Sequence, residues 1–201
     1  MTSMAGNYSA GITHAVIKIG GSLASDPEVL RQVGRDVARL AAESSLVVIP
    51  GGGPFADAVR EADLRHGLPP STAHWMAIQA MDQYAELLAA VVPGSEIVRD
   101  SAGVVAARRR GMIPILAPSL WLRAADELPH SWEVTSDSLA AYLAGLLGAE
   151  RLLLVKAVGG NVDELVDPWF RRALPAGVAC RAVAPADVAA TADWLRGAPA
   201  G

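Results

Sequence analysis

At 201 residues, with 52% hydrophobic residues and a formal net charge of −4, the chain has the length of one domain that buries its own core, and it lacks the basic excess that nucleic-acid binding requires. No apolar run reaches the ~18 residues of a membrane span, which reads as a soluble protein. The one cysteine, Cys180, can form no internal disulfide and reads as a small buried residue in a reducing compartment, the cytoplasm.

The first 14 residues, MTSMAGNYSAGITH, have no basic stretch leading into an apolar one; they do not read as a secretory signal and are expected to fray ahead of the first strand. Residues 15–19, AVIKI, are an apolar strand interrupted by a lysine. A helix follows over 27–42, where Val29, Leu30, Val33, Val37, Leu40 and Ala41 recur at helical spacing behind the Asp26-Pro27 start signal. The next strand is 46–49, LVVI. Helices are expected at 54–65, at 71–92 with Ser71 as cap and a Trp75/Met76/Ala80/Tyr84/Leu87/Leu88/Val91 stripe, and at 101–110. Strand 112–117, helix 137–148, strands 151–155 and 179–183, and helix 185–196 complete the series. The strands are short, apolar and unalternated, as strands covered on both faces are. Alternation of this kind gives an α/β fold: a three-layer αβα sandwich around a mostly parallel sheet. The breaks at 66–71 and 128–134 read as loops inside one domain spanning 1–201, and 159–177 reads as irregular.

The chemistry starts at Lys18. An ammonium in an apolar strand asks for an anionic neighbour, and the chain has only two lysines, Lys18 and Lys156, against fifteen arginines. Three glycine-bearing segments follow strands: Lys18-Ile19-Gly20-Gly21-Ser22, Pro50-Gly51-Gly52-Gly53-Pro54 and Lys156-Ala157-Val158-Gly159-Gly160. Each brings bare backbone amides to the strand ends, where an open α/β sheet binds its ligand. Residues 51–56 also fit a dinucleotide fingerprint, but the carboxylate expected about 20 positions on is missing from the helical pattern found there. A Walker loop fails because no glycine is followed by Lys-Ser/Thr.

Together VIKIGGS (16–22), VVIPGGGPFADAV (47–59) and TSDSLAAYLAGLLGAERLLLVKAVGG (135–160) resemble the amino acid kinase family, whose members transfer the γ-phosphoryl of ATP to carboxylates, carbamate or phosphate monoesters. The resemblance implies an amino acid kinase-like domain with the acceptor side in its N-terminal half and the nucleotide side in its C-terminal half. It implies ATP and Mg²⁺ as cofactors, a small phosphorylated partner, and a homo-oligomer, dimer or higher. Lys18 then corresponds to the lysine that holds the phosphoryl in flight and Asp137 to the aspartate that orients it. Gly20, Gly21 and Ser22 supply donors on the nucleotide side, with Lys156, Gly160 and Asp167; Gly52, Gly53, Thr135 and Ser136 face the acceptor. Positioning and charge neutralisation are most of what phosphoryl transfer needs.

Lys156 matches the uridylate kinase branch, which phosphorylates a phosphate, and so leans the acceptor towards a phosphate monoester. Gly159 stands where the family has an aspartate. No lysine follows Lys156, which argues against acetylglutamate or aspartate kinase activity. A compact subgroup resembles the chain best, the kinases that add a second phosphate to an aminomethylfuran-methyl phosphate in methanofuran biosynthesis; AHWMAIQAMDQYAELLA (73–89) is similar to their central helix. For such an acceptor Trp75, Met76, Met81 and Tyr84 are candidates for an apolar slot and Asp82 for the partner of the ammonium, although helical spacing of this kind also describes an ordinary core. His74 reads as a polar helix-face residue, and Arg108-Arg109-Arg110 as a solvated helix end or a phosphate clamp. UMP is the alternative acceptor. A binding module that holds nucleotides or oxyanions without turnover would not need both Lys18 and Asp137.

Overall fold

The computed structural model describes residues 13–197. The expectation for the N-terminal segment falls on residues 1–12, outside the described residues. The six strands of the sheet are β1 (Ala15–Ile19), β2 (Leu46–Pro50), β3 (Ser95–Val98), β4 (Ile113–Leu116), β5 (Arg151–Val155) and β6 (Ala179–Val183). They lie in the order β3-β4-β2-β1-β5-β6, and every pairing is parallel.

The helices are α1 (Pro27–Glu43), α2 (Gly53–His66), α3 (Pro70–Val91), α4 (Ser101–Arg109), α5 (Ser119–Ala125), α6 (Ser136–Leu146), α7 (Val162–Leu165), α8 (Phe170–Ala173) and α9 (Ala192–Leu195). The start signal of α1 works as read, with Asp26 accepting from the amides of Glu28 at 3.0 Å and Val29 at 3.1 Å. Ser71 does not cap α3: that helix begins one residue earlier, at Pro70, and the Ser71 hydroxyl pairs with His130 Nδ1 at 2.8 Å. Strand β3 and helix α5 carry no sequence signal of their own, because SEIV is a half-buried edge strand and α5 is two turns long. Residues 185–196 are two 3₁₀ turns followed by the single turn α9, and α7 and α8 are single turns within 159–177.

Strand alternation divides the core in two. Val16, Val47, Ile49, Leu152 and Leu154 point to the face covered by α6, where Leu139, Ala140 and Leu143 meet them. Ala15, Ile17, Ile19, Val48 and Leu153 point to the opposite face, under α1 and the end of α3. The chain leaves β1 towards β2, builds out to β3, and then crosses back to β5 on the other side of β1. This reversal sets the carboxyl ends of β2, β1 and β5 side by side, the place where an open parallel sheet forms its crevice.

Candidate active site

Period two fixes which way the lysines go. Lys18 follows Val16, and Lys156 follows Leu152 and Leu154, so both ammonium groups emerge on the α6 face at the carboxyl edge of the sheet. Asp137 waits there in the first turn of α6. Lys18 Nζ donates to its Oδ1 at 2.8 Å and Lys156 Nζ to its Oδ2 at 2.6 Å. Lys156 also donates to the carbonyl of Leu165. Burial alone would lift the Asp137 carboxyl, but Lys18 and then Lys156 overcome it and hold it below the usual carboxylate range. Two cations share one anion, so the cluster keeps a net positive charge for a ligand.

The glycines let two strand-end loops meet backbone to backbone. A Cβ on Gly51 would lie 2.6 Å from the Gly21 nitrogen, and one on Gly21 would overlap the Gly53 nitrogen. A Cβ on Gly20 would lie 2.7 Å from the Val155 carbonyl oxygen. That same carbonyl accepts the Gly20 amide at 2.8 Å, so Gly20 extends the β ladder rather than offering a free donor. The amides that remain for a ligand are those at the start of the 3₁₀ turn Gly21–Ser25 and in the first turn of α2, since helix starts leave their N–H groups without intrahelical partners. Tyr84 supports this platform from below: its hydroxyl donates to the Gly20 carbonyl at 3.2 Å, and its buried ring lies against Gly53.

Two cavities flank the junction. One, of about 260 Å³, is bounded by Lys18, Gly20, Lys156, Val158 and Leu165; the other, of about 270 Å³, by Gly52, Gly53, Asp57, Met81, Thr135 and Ser136. Gly21 and Ser22 line both.

Other expected residues lie elsewhere. Asp167 lines neither cavity, because its two oxygens accept from Thr135 N (3.1 Å), Thr135 Oγ1 (2.7 Å), Ser138 N (3.1 Å), the Ser138 hydroxyl and Trp169 N (3.1 Å). It locks the turn that carries Asp137. Gly160 is pinned against Ala182 on the neighbouring strand. Asp82 accepts from the Ser119 amide at 3.0 Å and from the Ser119 hydroxyl, tying α3 to the start of α5 and leaving the cavity wall to others. Of the four slot candidates only Met81 lines the cavity bounded by Gly52, Gly53 and Asp57. Trp75 turns away, with Arg123 4.3 Å above its ring and the His74 and His130 rings edge-on at 5.0 and 5.3 Å. Arg108 and Arg110 sit at the other end of the sheet, on Thr13 at 3.1 Å and Glu96 at 2.6 Å, so the arginine run is no clamp for this site.

Residues the sequence did not single out for this cavity are Asp57, Arg60 and Trp132. Asp57 and Arg60 stand one and two turns into α2, a helix whose N-terminus aims at the glycine junction, and that placement is the signal that could have found them. Cys180 is half-buried, and burial pushes its thiol up to about 12, which leaves it protonated and inert. Among the described residues no three His, Cys, Asp or Glu side chains converge on a metal site, and no helix is long and apolar enough to cross a membrane.

The chain is 33% identical over 151 residues to the [5-(aminomethyl)furan-3-yl]methyl phosphate kinase of Methanocaldococcus jannaschii, a match covering 74% of this chain and 68% of that protein. It is 26% identical to the acetylglutamate kinase of Erythrobacter litoralis, covering 74% of this chain and 66% of that one. In structure it is similar to uridylate kinase from Archaeoglobus fulgidus, with a TM-score of 0.64 at 15% identity over 92% of this chain and 96% of the other. The UMP kinase of Ureaplasma parvum gives a TM-score of 0.55 at 18% identity over 77% and 73%. The family model for amino acid kinases matches residues 14–163, which take in all three strand-end loops and the turn of Asp137. With that stretch accounted for from β1 to α7, the chain belongs to the amino acid kinase family.

Proposed function

We propose that the protein transfers the γ-phosphoryl of ATP to the phosphate of a small monoester, of the class of [5-(aminomethyl)furan-3-yl]methyl phosphate, giving a diphosphate and ADP. The observation that carries this reading is the pair of cavities joined at Gly21–Ser22 beside an ammonium fixed on Asp137. The nucleotide phosphates fit the side that holds both lysines. The acceptor phosphate fits the side formed by the first turn of α2 together with Thr135 and Ser136, and the phosphoryl in transit lies between them.

An oxygen of the acceptor phosphate attacks the γ-phosphorus as the bond to the β,γ-bridging oxygen breaks, and the electron pair leaves with ADP. The monoester is already an anion near neutral pH, so no side chain has to remove a proton. Lys18 follows the charge that builds on the transferred oxygens, while Asp137 keeps its ammonium from swinging away. Lys156 neutralises charge on the leaving side. Mg²⁺ brought with ATP would be held chiefly by phosphate oxygens and would screen their charge.

Coupled measurement of ADP release tests this, with the aminomethylfuran phosphate, UMP and N-acetylglutamate offered in parallel with ATP and Mg²⁺. The phosphate monoester with the aminomethyl group is expected to give the highest kcat/KM and N-acetylglutamate none. Turnover confined to UMP would move the acceptor to nucleotides, and turnover on N-acetylglutamate would overturn the phosphate-acceptor reading.

A further inference from the structure

The wall of the acceptor-side cavity changes character along α2. At Gly52 and Gly53 it presents helix-start amides, which favour an anion. One turn on, at Asp57, it presents a carboxylate. From α3 the same cavity is lined by the apolar side chains of Ala77, Ile78 and Met81.

Asp57 has no hydrogen-bond or ion-pair partner among the described residues. Its natural partner would be Arg60, three residues on along the same helix. That guanidinium is held instead over the ring of Trp132, 4.7 Å from the centroid. Trp132 is in turn anchored by its Nε1 donating to Asp63 Oδ2 at 2.7 Å. The arrangement keeps the one cation on this helix that could neutralise Asp57 occupied, and leaves the carboxylate to whatever fills the cavity.

Resting on the reading of the site as a phosphate-acceptor kinase, we propose that Asp57 is the specificity-determining residue for the acceptor, binding a primary ammonium carried on the same small molecule as the phosphate. Four residues of helix separate Gly53 from Asp57, about 6 Å at 1.5 Å per residue. A compact phosphate with an ammonium at that reach and a flat apolar body meets a donor, a carboxylate and an apolar lining in one cavity. The same carboxylate repels a second acidic group, so Asp57 also works against dicarboxylate acceptors. It takes the role that the sequence assigned to Asp82, whose oxygens are occupied by Ser119.

The test is calorimetric binding of [5-(aminomethyl)furan-3-yl]methyl phosphate and of furan-3-ylmethyl phosphate, which lacks the aminomethyl group. Wild type is expected to hold the amine about ten-fold tighter, the effect of one charge-assisted contact. In Asp57→Asn that ratio should fall to near one, and Asp57→Ala serves as a second variant on this exposed helix face. A wild type that holds the two phosphates alike, or an Asp57→Asn protein that keeps the preference, overturns the proposal. Turnover is read separately: absence of ADP formation with either compound counts against the kinase, while the binding ratio still decides Asp57.

Discussion

Lys18 and Asp137 form a buried pair with a third member, and that changes what single substitutions should do. Removing one partner of a buried ion pair costs ~3–5 kcal/mol when it strands the other. Lys18→Ala does not strand Asp137, which keeps Lys156 at 2.6 Å. Its turnover is expected to fall about 10²–10³-fold, as for loss of one donor to transition-state charge, with a stability loss well below the figure for a stranded charge. Asp137→Asn leaves two ammonium groups facing a neutral amide, so it should be the more destabilising of the two as well as slow. Urea unfolding and steady-state kinetics on both variants check the order; a Lys18→Ala protein with near wild-type turnover would remove Lys18 from the chemistry. The pairing of Lys18 with Asp137 was legible through the resemblance of the three motifs to the amino acid kinase family. The second bond, from Lys156, was not, because it depends on β5 lying beside β1 in a register that carries both lysines onto one face.

Among the elements, the start of α6 decides the geometry. Its first turn would leave amides without partners, and Asp167, reaching across from the loop after α7, accepts from two of them and from the Thr135 and Ser138 hydroxyls. Asp167 is a positioning residue for Asp137. Asp167→Ala is expected to cost about 1–3 kcal/mol, the penalty of leaving buried donors unmade, and to lower kcat more than it raises the KM for ATP. Denaturant midpoints and the kcat-against-KM split check this; an effect on KM alone would place Asp167 at the nucleotide instead. The long periodic elements and the glycine loops could be read from the chain because their signals are local. Strand β3, helix α5 and the single turns α7 and α8 are set by what they pack against, and so are the partners of Asp82 and Asp167. A carboxylate looks the same in sequence whether it faces a substrate or a serine.

At the scale of the whole molecule, stability and pH are linked through His74. Burial, with His130 stacked at 4.3 Å, pulls its pKa down to about 4, and Asp126 only partly opposes this. Between pH ~6.5 and ~4 the unfolded chain therefore binds a proton on His74 that the native state refuses, so this residue makes stability fall as pH falls through that window. Asp137 acts in the same sense lower down, its contribution present above the ordinary carboxylate range and lost as pH drops through its lowered native value. Urea midpoints taken from pH 7 to 4 should fall for wild type and fall less steeply for His74→Gln; parallel slopes would show that His74 titrates normally. The described residues form a six-stranded parallel sheet whose topology brings three glycine loops together, and a phosphoryl group is expected to cross between the two cavities they separate. The most direct measurement is the ³¹P NMR spectrum of a reaction containing the protein, ATP, Mg²⁺ and [5-(aminomethyl)furan-3-yl]methyl phosphate. The expected result is loss of the monoester resonance and growth of a coupled pair of diphosphate signals in step with ADP; ADP appearing with free phosphate while the monoester stays unchanged would contradict it.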